Sequence, residues 1–170
     1  MECRLRTALA KDAAALVTIH YESVHRGASS HYPVEVLKAW SPPPDNHRSE
    51  WLHGIIVSDN TLVEVAEDSA RGVVGFGIVL LGQSRLQALY IHPDAAGAGI
   101  GRRLLSRLEQ RAGQVGLTRL SLNASLNAHP FYAGMGYTTH GPSSQALAEE
   151  VVMEALAMEK SLLKSQAQSR

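Results

Sequence analysis

The sequence predicts an α/β (α+β) chain of short strands interleaved with amphipathic helices. Three observations carry that prediction. Residues 86–101, LQALYIHPDAAGAGIG, pass from an apolar strand through a His-Pro-Asp turn and three alternating glycines into a helix. Residues 62–66 and 73–81 read as a hairpin across the polar linker 67–72. Apolar residues return every three or four positions at 11–25 and again at 100–115, the mark of helices with one buried face.

The remaining elements follow in order. Residues 3–8 alternate as a first strand. The helix over 11–25 presents Ala14, Leu16, Val17, Ile19 and Tyr21. Residues 33–40 suggest a short helix with Pro33 at its first position, and SPPPD at 41–45 is a loop. Residues 49–58 form a further helix presenting Trp51, Leu52, Ile55 and Ile56. The helix after the glycines buries Ile100, Leu104, Leu105, Leu108, Ala112 and Val115, and Gly116 stops it. Residues 120–124 alternate as a strand, 128–135 make a short helix, and 137–140 and 151–158 are the last strands. One domain over 1–163 with a loose tail at 164–170 is expected.

The glycine stretch is a means of building a pyrophosphate site. Gly97, Gly99 and Gly101 permit positive φ and leave no side chain in the way. The free N–H groups of the following helix then face an anion. Arg102 and Arg103 fall in the first turn, where the helix dipole disfavours cations unless a polyphosphate is bound. The same residues would also suit a turn that merely reverses the chain. No Lys-Ser or Lys-Thr pair follows Gly101, so this is no P-loop. Arg102 occupies the third glycine position of a dinucleotide fingerprint, and no acidic residue lies near position 118 to hold a ribose.

Residues 96–101, AGAGIG, resemble the acyl-CoA loop (Q/R)xxGx(G/A) of the GNAT (Gcn5-related N-acetyltransferase) superfamily, matching at Gly99 and Gly101 and departing at Ala96. Residues 125–137, SLNAHPFYAGMGY, are similar to its NxxAxxFYxxxGF stretch. They match at Ala128, Phe131, Tyr132, Gly136 and, conservatively, Tyr137, with Ser125 in place of Asn. The ending VVMEALAMEKSL resembles the family's last strand. The resemblance covers about residues 62–162. It implies a central mixed, mostly antiparallel, twisted sheet of six to seven strands flanked by helices and splayed between the fourth and fifth strands.

It also implies acetyl-CoA as cosubstrate and an amine acceptor, joined by direct attack in a ternary complex. The pyrophosphate would lie on Ala96, Gly97, Ala98, Gly99, Ile100, Gly101 and Arg102, and the pantetheine arm along Leu89, Tyr90 and Ile91, with Ser125 and Phe131 beside them. A backbone N–H of that strand would face the thioester carbonyl, an oxyanion-hole contact worth about 3 kcal/mol. Tyr132 is the candidate acid for the leaving thiolate, the alternative being a packed core tyrosine. Glu22, His25 and Tyr90 are candidate bases, each open to a surface or core reading. Residues 20–53 read either as the acceptor-side wall or as ordinary amphipathic helices with a Pro-rich loop; as a wall, their Tyr, His and Trp with few acids argue against a strongly cationic acceptor.

Composition narrows the classes. Formal net charge is zero and pI near 7.1, so no basic surface recruits nucleic acid or an anionic membrane. The single cysteine, Cys3, suits a reducing compartment, and a cytoplasmic protein is expected. Lys11 and Asp12 interrupt the Ala-rich start before a secretory segment forms, and no apolar run nears the roughly 20 residues of a membrane span. The eight histidines lack metal-ligand spacing, so no metal is expected. GNAT proteins often form homodimers, which makes that assembly an expectation. A silent acyl-CoA-binding module, and transfer to a hydroxyl or of a longer acyl chain, stand as alternatives.

Overall fold

The computed structural model describes residues 2–163; the expected tail, 164–170, lies outside them. The elements are β1 (Cys3–Thr7), α1 (Ala13–Gly27), α2 (Val34–Trp40), α3 (Asn46–Ile56), β2 (Thr61–Asp68), β3 (Gly72–Leu80), β4 (Arg85–Ile91), α4 (Ile100–Gln114), β5 (Arg119–Ser125), α5 (His129–Gly134), β6 (Thr138–Ala148) and β7 (Val151–Ser161). Seven strands form one sheet in the order β1-β2-β3-β4-β5-β7-β6. All pairings are antiparallel except β4–β5. The α4 crossover joins those two strands, as a parallel pair requires. The expected mixed, mostly antiparallel sheet flanked by helices is therefore the observed one.

Helix α4 covers one face. Leu104, Leu105, Leu108 and Ala112 are fully buried; the last three pack with Leu62, Val79, Leu86, Leu120 and Leu122, and Leu104 packs with Ala66 and Val74. Its approach is close because β3 offers glycines beneath it: a Cβ on Gly77 would overlap Leu108 Cδ1. Helices α1 and α3 cover the other face, where Leu16, Val17, Ile19 and Leu52 meet Val63, Val65, Phe76 and Ile78. Tyr32, Val36 and Leu37, in and just before α2, pack on Met153 of β7.

Four details differ from the sequence reading. Val115 is 57% exposed, because α4 ends at Gln114 and Val115 turns away as its cap before Gly116 (φ +98°). In α1, Ala13 is buried and Ala14 exposed. Pro33 caps α2 with extended backbone rather than opening it. Strand β6 continues through Gly141 and Pro142 to Ala148. These two residues read as breakers, but β6 is the sheet's edge, where a missing N–H faces no partner, and a bulge at 139–141 absorbs the irregularity.

Candidate active site

Parallel strands β4 and β5 share a single paired position, Arg85 with Ser121. Beyond it they diverge, so backbone groups of β4 that would pair with β5 are left facing a gap. Two cavities, of about 420 and 340 Å³, open around that gap. Leu89, Ala128 and Tyr132 line both, so the two meet at those residues.

The smaller cavity is the glycine-loop side. Its wall includes Leu89, Ile91, Ala96, Gly97, Gly99, Ile100, Gly101, Arg102 and Phe131. Gly97 (φ +82°) and Gly99 (φ +78°) adopt left-handed backbone that glycine alone takes without strain. Gly99 is also the N-cap of α4 and carries no side chain to satisfy the first-turn amides. Those amides, at Ile100, Gly101 and Arg102, stand at the cavity wall with no helical acceptor of their own. Gly101 corrects the sequence reading: its φ is not positive, since it already lies within α4. A Cβ there would sit in ordinary van der Waals contact with Ile91 Cγ1 and Phe131 Cζ at 3.6 Å, so the backbone does not require glycine at this position. Ala98 does not line this cavity, its place between the two left-handed glycines turning it outward.

The fit to an acyl-CoA rests on this shape. A helix start with free first-turn amides, walled by apolar side chains, leads along the free edge of β4 into the gap. A pyrophosphate needs the first, and an extended pantetheine arm needs the second.

The larger cavity lies on the α1–α3 face of the sheet. Tyr90 and Ser125 line it, with Trp40, Trp51, Phe76, His20, Arg48, Arg85 and Asn127. The His20 ring stands edge-on to Tyr90 at 4.6 Å. Its Nδ1 lies 2.8 Å from Ser41 Oγ and accepts from Arg48 Nη2 at 2.9 Å. Burial, then the neighbouring guanidinium, holds the imidazole down to about 3. Burial pushes the Tyr90 phenol up to about 12. Asn127 Oδ1 is buried with no hydrogen-bond partner among the described residues.

Tyr132 stands on α5 at 7% exposure, edge-on to Phe131 at 5.3 Å and to Tyr137 at 5.7 Å. Burial pushes its pKa well above the ordinary phenol value. It is therefore a protonated O–H at the junction of the two cavities. The chain is brought there by a staple: Tyr32 Oη donates to the Glu154 carbonyl at 2.6 Å and accepts from Leu126 N–H at 2.8 Å, drawing the chain after β5 toward β7.

Two candidate bases stand elsewhere. Glu22 faces Arg26 at 3.5 Å, and Arg26 reaches on to Asp94 at 2.8 Å. His25 Nε2 sits 2.7 Å from the Ser41 carbonyl with its ring against Tyr21 at 4.2 Å. Neither lines either cavity. Helical rotation is the reason: His20 and Val24 of α1 turn toward the sheet, and Glu22 and His25 turn aside. The sequence reading held His20 and Arg48 only within the 20–53 wall and passed over Arg85 and Asn127; the meeting of the four depends on long-range packing.

A family model described as "Acetyltransferase (GNAT) domain" matches residues 34–162. The chain belongs to the GNAT acetyltransferases. This GNAT chain is similar to the structure titled GCN5-related N-acetyltransferase: aminotransferase, class-II from Rhodopseudomonas palustris, with TM-score 0.83, 27% identity, and 95% and 96% of the two chains covered. It shares its fold with a GNAT phosphinothricin acetyltransferase from Sinorhizobium meliloti in complex with AcCoA, at TM-score 0.74 and 21% identity, covering 99% and 93% of the chains. It is 32% identical over 77 residues to the IAA acetyltransferase of Azospirillum brasilense, a match covering 41% of this chain and 50% of that protein. The matched segments thus span at most half the length of such relatives. Among the described residues, no helix is long and apolar enough to cross a membrane.

Proposed function

We propose that this GNAT protein transfers an acetyl group from acetyl-CoA to a primary amine of a small molecule or peptide by direct attack, in the cytoplasm. The observation that carries the reading is the meeting of two chemically different cavities at Tyr132. The glycine-loop cavity suits the coenzyme, and the aromatic cavity suits the acceptor. The complex of the Sinorhizobium neighbour with AcCoA supports the choice of donor.

The amine lone pair attacks the thioester carbonyl, whose oxygen is held by a backbone N–H of β4. The carbon–sulfur bond then breaks. The sulfur takes the Tyr132 proton, and the tyrosinate recovers one from the new ammonium or from water. A raised phenol pKa is no obstacle, because burial raises the leaving thiol's pKa as well. No carboxylate lines the acceptor cavity, and Nδ1 of His20 is engaged by Arg48. The amine accordingly enters neutral or gives its proton to water.

Calorimetric titration with acetyl-CoA, followed by thiol release across an amine panel, tests the reading. Micromolar binding with amine-dependent thiol release is expected. Tight binding with no turnover on any amine would leave a silent acyl-CoA-binding module, and no binding would remove the donor assignment.

A further inference from the structure

Charge in the larger cavity is one-sided. Its wall holds no Asp or Glu and two guanidiniums, Arg48 and Arg85. Outside it, Arg4, Arg6, Arg26, Arg107, Arg111 and Arg119 each pair with a carboxylate, whereas Arg71 and Arg103 reach only backbone carbonyls. Among the described residues, Arg48 and Arg85 have no such pair. Arg48 is half-buried and held in place from three sides, by the Pro42 carbonyl, by His20 Nδ1 at 2.9 Å and by Ser41 Oγ at 3.2 Å. Asp45, close in sequence, spends Oδ1 on the Arg48 backbone N–H rather than on the guanidinium. Arg85 gives Nε to Gln87 Oε1 at 3.1 Å, leaving both terminal nitrogens without a carboxylate.

A guanidinium at a cavity wall without a counter-ion is a waiting site for an anion: Arg85, with both terminal nitrogens uncommitted, can bind one through two parallel N–H bonds, and Arg48, whose Nη2 is engaged by His20 and Ser41, adds its charge and its remaining N–H groups. A polyamine, an aminoglycoside or a basic peptide would instead carry further positive charge into a cavity with no carboxylate to receive it. Trp40, Trp51, Phe76 and Tyr90 give the rest of the wall an aromatic face. The buried Asn127 Oδ1 lacks a donor, which the acceptor's amine N–H can supply.

We propose that the acceptor is a small amine carrying a carboxylate and an apolar body, an amino-acid-like molecule whose carboxylate seats on Arg48 or Arg85. The proposal rests on reading the larger cavity as the acceptor side. Arg48 and Arg85 are then specificity-determining residues, remote from the bond that breaks.

The chain's two tryptophans, Trp40 and Trp51, both line this cavity, so their fluorescence reports its occupancy without turnover. Full-length protein would be titrated, with acetyl-CoA present and absent, with phenylalanine, its carboxamide and phenethylamine, and with the matched methionine series. Thiol release would be followed in parallel. Carboxylate forms should bind and turn over at least ten-fold better than the amides or decarboxylated amines. Arg48→Met or Arg85→Met should erase that preference by raising KM with kcat little changed, and Arg48→Lys should restore part of it. Thermal unfolding of each variant separates misfolding from lost recognition, and the wild-type ligand series stands without any variant. Equal or better use of the uncharged-tail amines overturns the proposal while leaving acetyl transfer intact. Equal quenching by all three forms, with no turnover of any, overturns it as well. Absence of acetyl-CoA binding strikes the functional reading instead.

Discussion

Arg48 donates from Nη2 to Nδ1 of His20 at 2.9 Å, which decides the state of that imidazole. A guanidinium has no lone pair, so Nδ1 must accept and the ring's proton sits on Nε2. The contact ties the start of α3 to the sheet-facing side of α1 and keeps His20 neutral in the cavity wall.

Acid should destabilise the fold through His20. Its folded pKa is held to about 3, below the ordinary 6.5. Between those values the unfolded chain binds a proton that the folded chain refuses, so stability falls as pH drops through the window, by up to about 1.4 kcal/mol per unit. Glu67, held to about 2 by Arg6 and Arg4, adds to the acid loss only below its ordinary 4.5. Urea unfolding between pH 6.5 and 5 therefore isolates His20. His20→Gln should flatten the slope there, and an unchanged slope would refute the assignment.

Removing one hydroxyl should separate chemistry from binding. Tyr132→Phe keeps the ring packing against Phe131 and Tyr137 and removes only the O–H. Acetyl-CoA affinity and Tm should stay near wild type while kcat falls about 100-fold. A kcat within two-fold of wild type in steady-state assays would show that another group protonates the thiolate.

The glycine loop should be sensitive at Gly99 and indifferent further down the same helix. Gly99 holds φ +78°, where any other residue costs about 1–2 kcal/mol. Gly99→Val should weaken acetyl-CoA binding at least ten-fold in calorimetry. Gly113, in the last turn of α4 with open space around it, is the control. Gly113→Ala should leave binding unchanged and raise stability by about 1 kcal/mol. Equal affinity in all three proteins would detach the loop from the coenzyme.

Glu64 is a stability residue rather than a site residue. It is fully buried in β2 on the face covered by α4, with Oε2 2.5 Å from Arg107 Nε and Oε1 bonded to Arg111 and Thr7. Glu64→Ala would leave two guanidiniums beside an apolar layer. Both are about one-third exposed and can turn to water, so the loss should sit at the low end for a broken buried pair, about 3 kcal/mol in urea unfolding. A change under 1 kcal/mol would show that the cluster adds nothing to the fold.

Local rules made most elements and the donor loop legible. Gly97 and Gly99 advertise left-handed backbone, and Leu104, Leu105, Leu108 and Ala112 advertise the buried stripe of α4, because each signal lies within a few residues. Tyr132 was found the same way, as part of a compact motif, and it stands where the two cavities join. Strand β6 was truncated because Gly141 and Pro142 break an interior strand and are tolerated at an edge, and edge position is a property of the whole sheet.

The acceptor wall shows the boundary most clearly. The sequence reading names His25 as a candidate base and His20 only as one end of the 20–53 wall. Packing turns His20 toward Tyr90 and Arg48 and sends His25 to the Ser41 carbonyl. Arg48 is 28 positions from His20, and Glu64 is 43 and 47 positions from its arginines. The amino-acid sequence alone determined periodicity, turn chemistry and the anion-binding loop, since these depend on short-range sterics and backbone hydrogen bonding. Which charges are buried, which are paired and which face an empty wall was decided only by the tertiary structure, because burial and Coulomb contacts follow distance in space rather than along the chain.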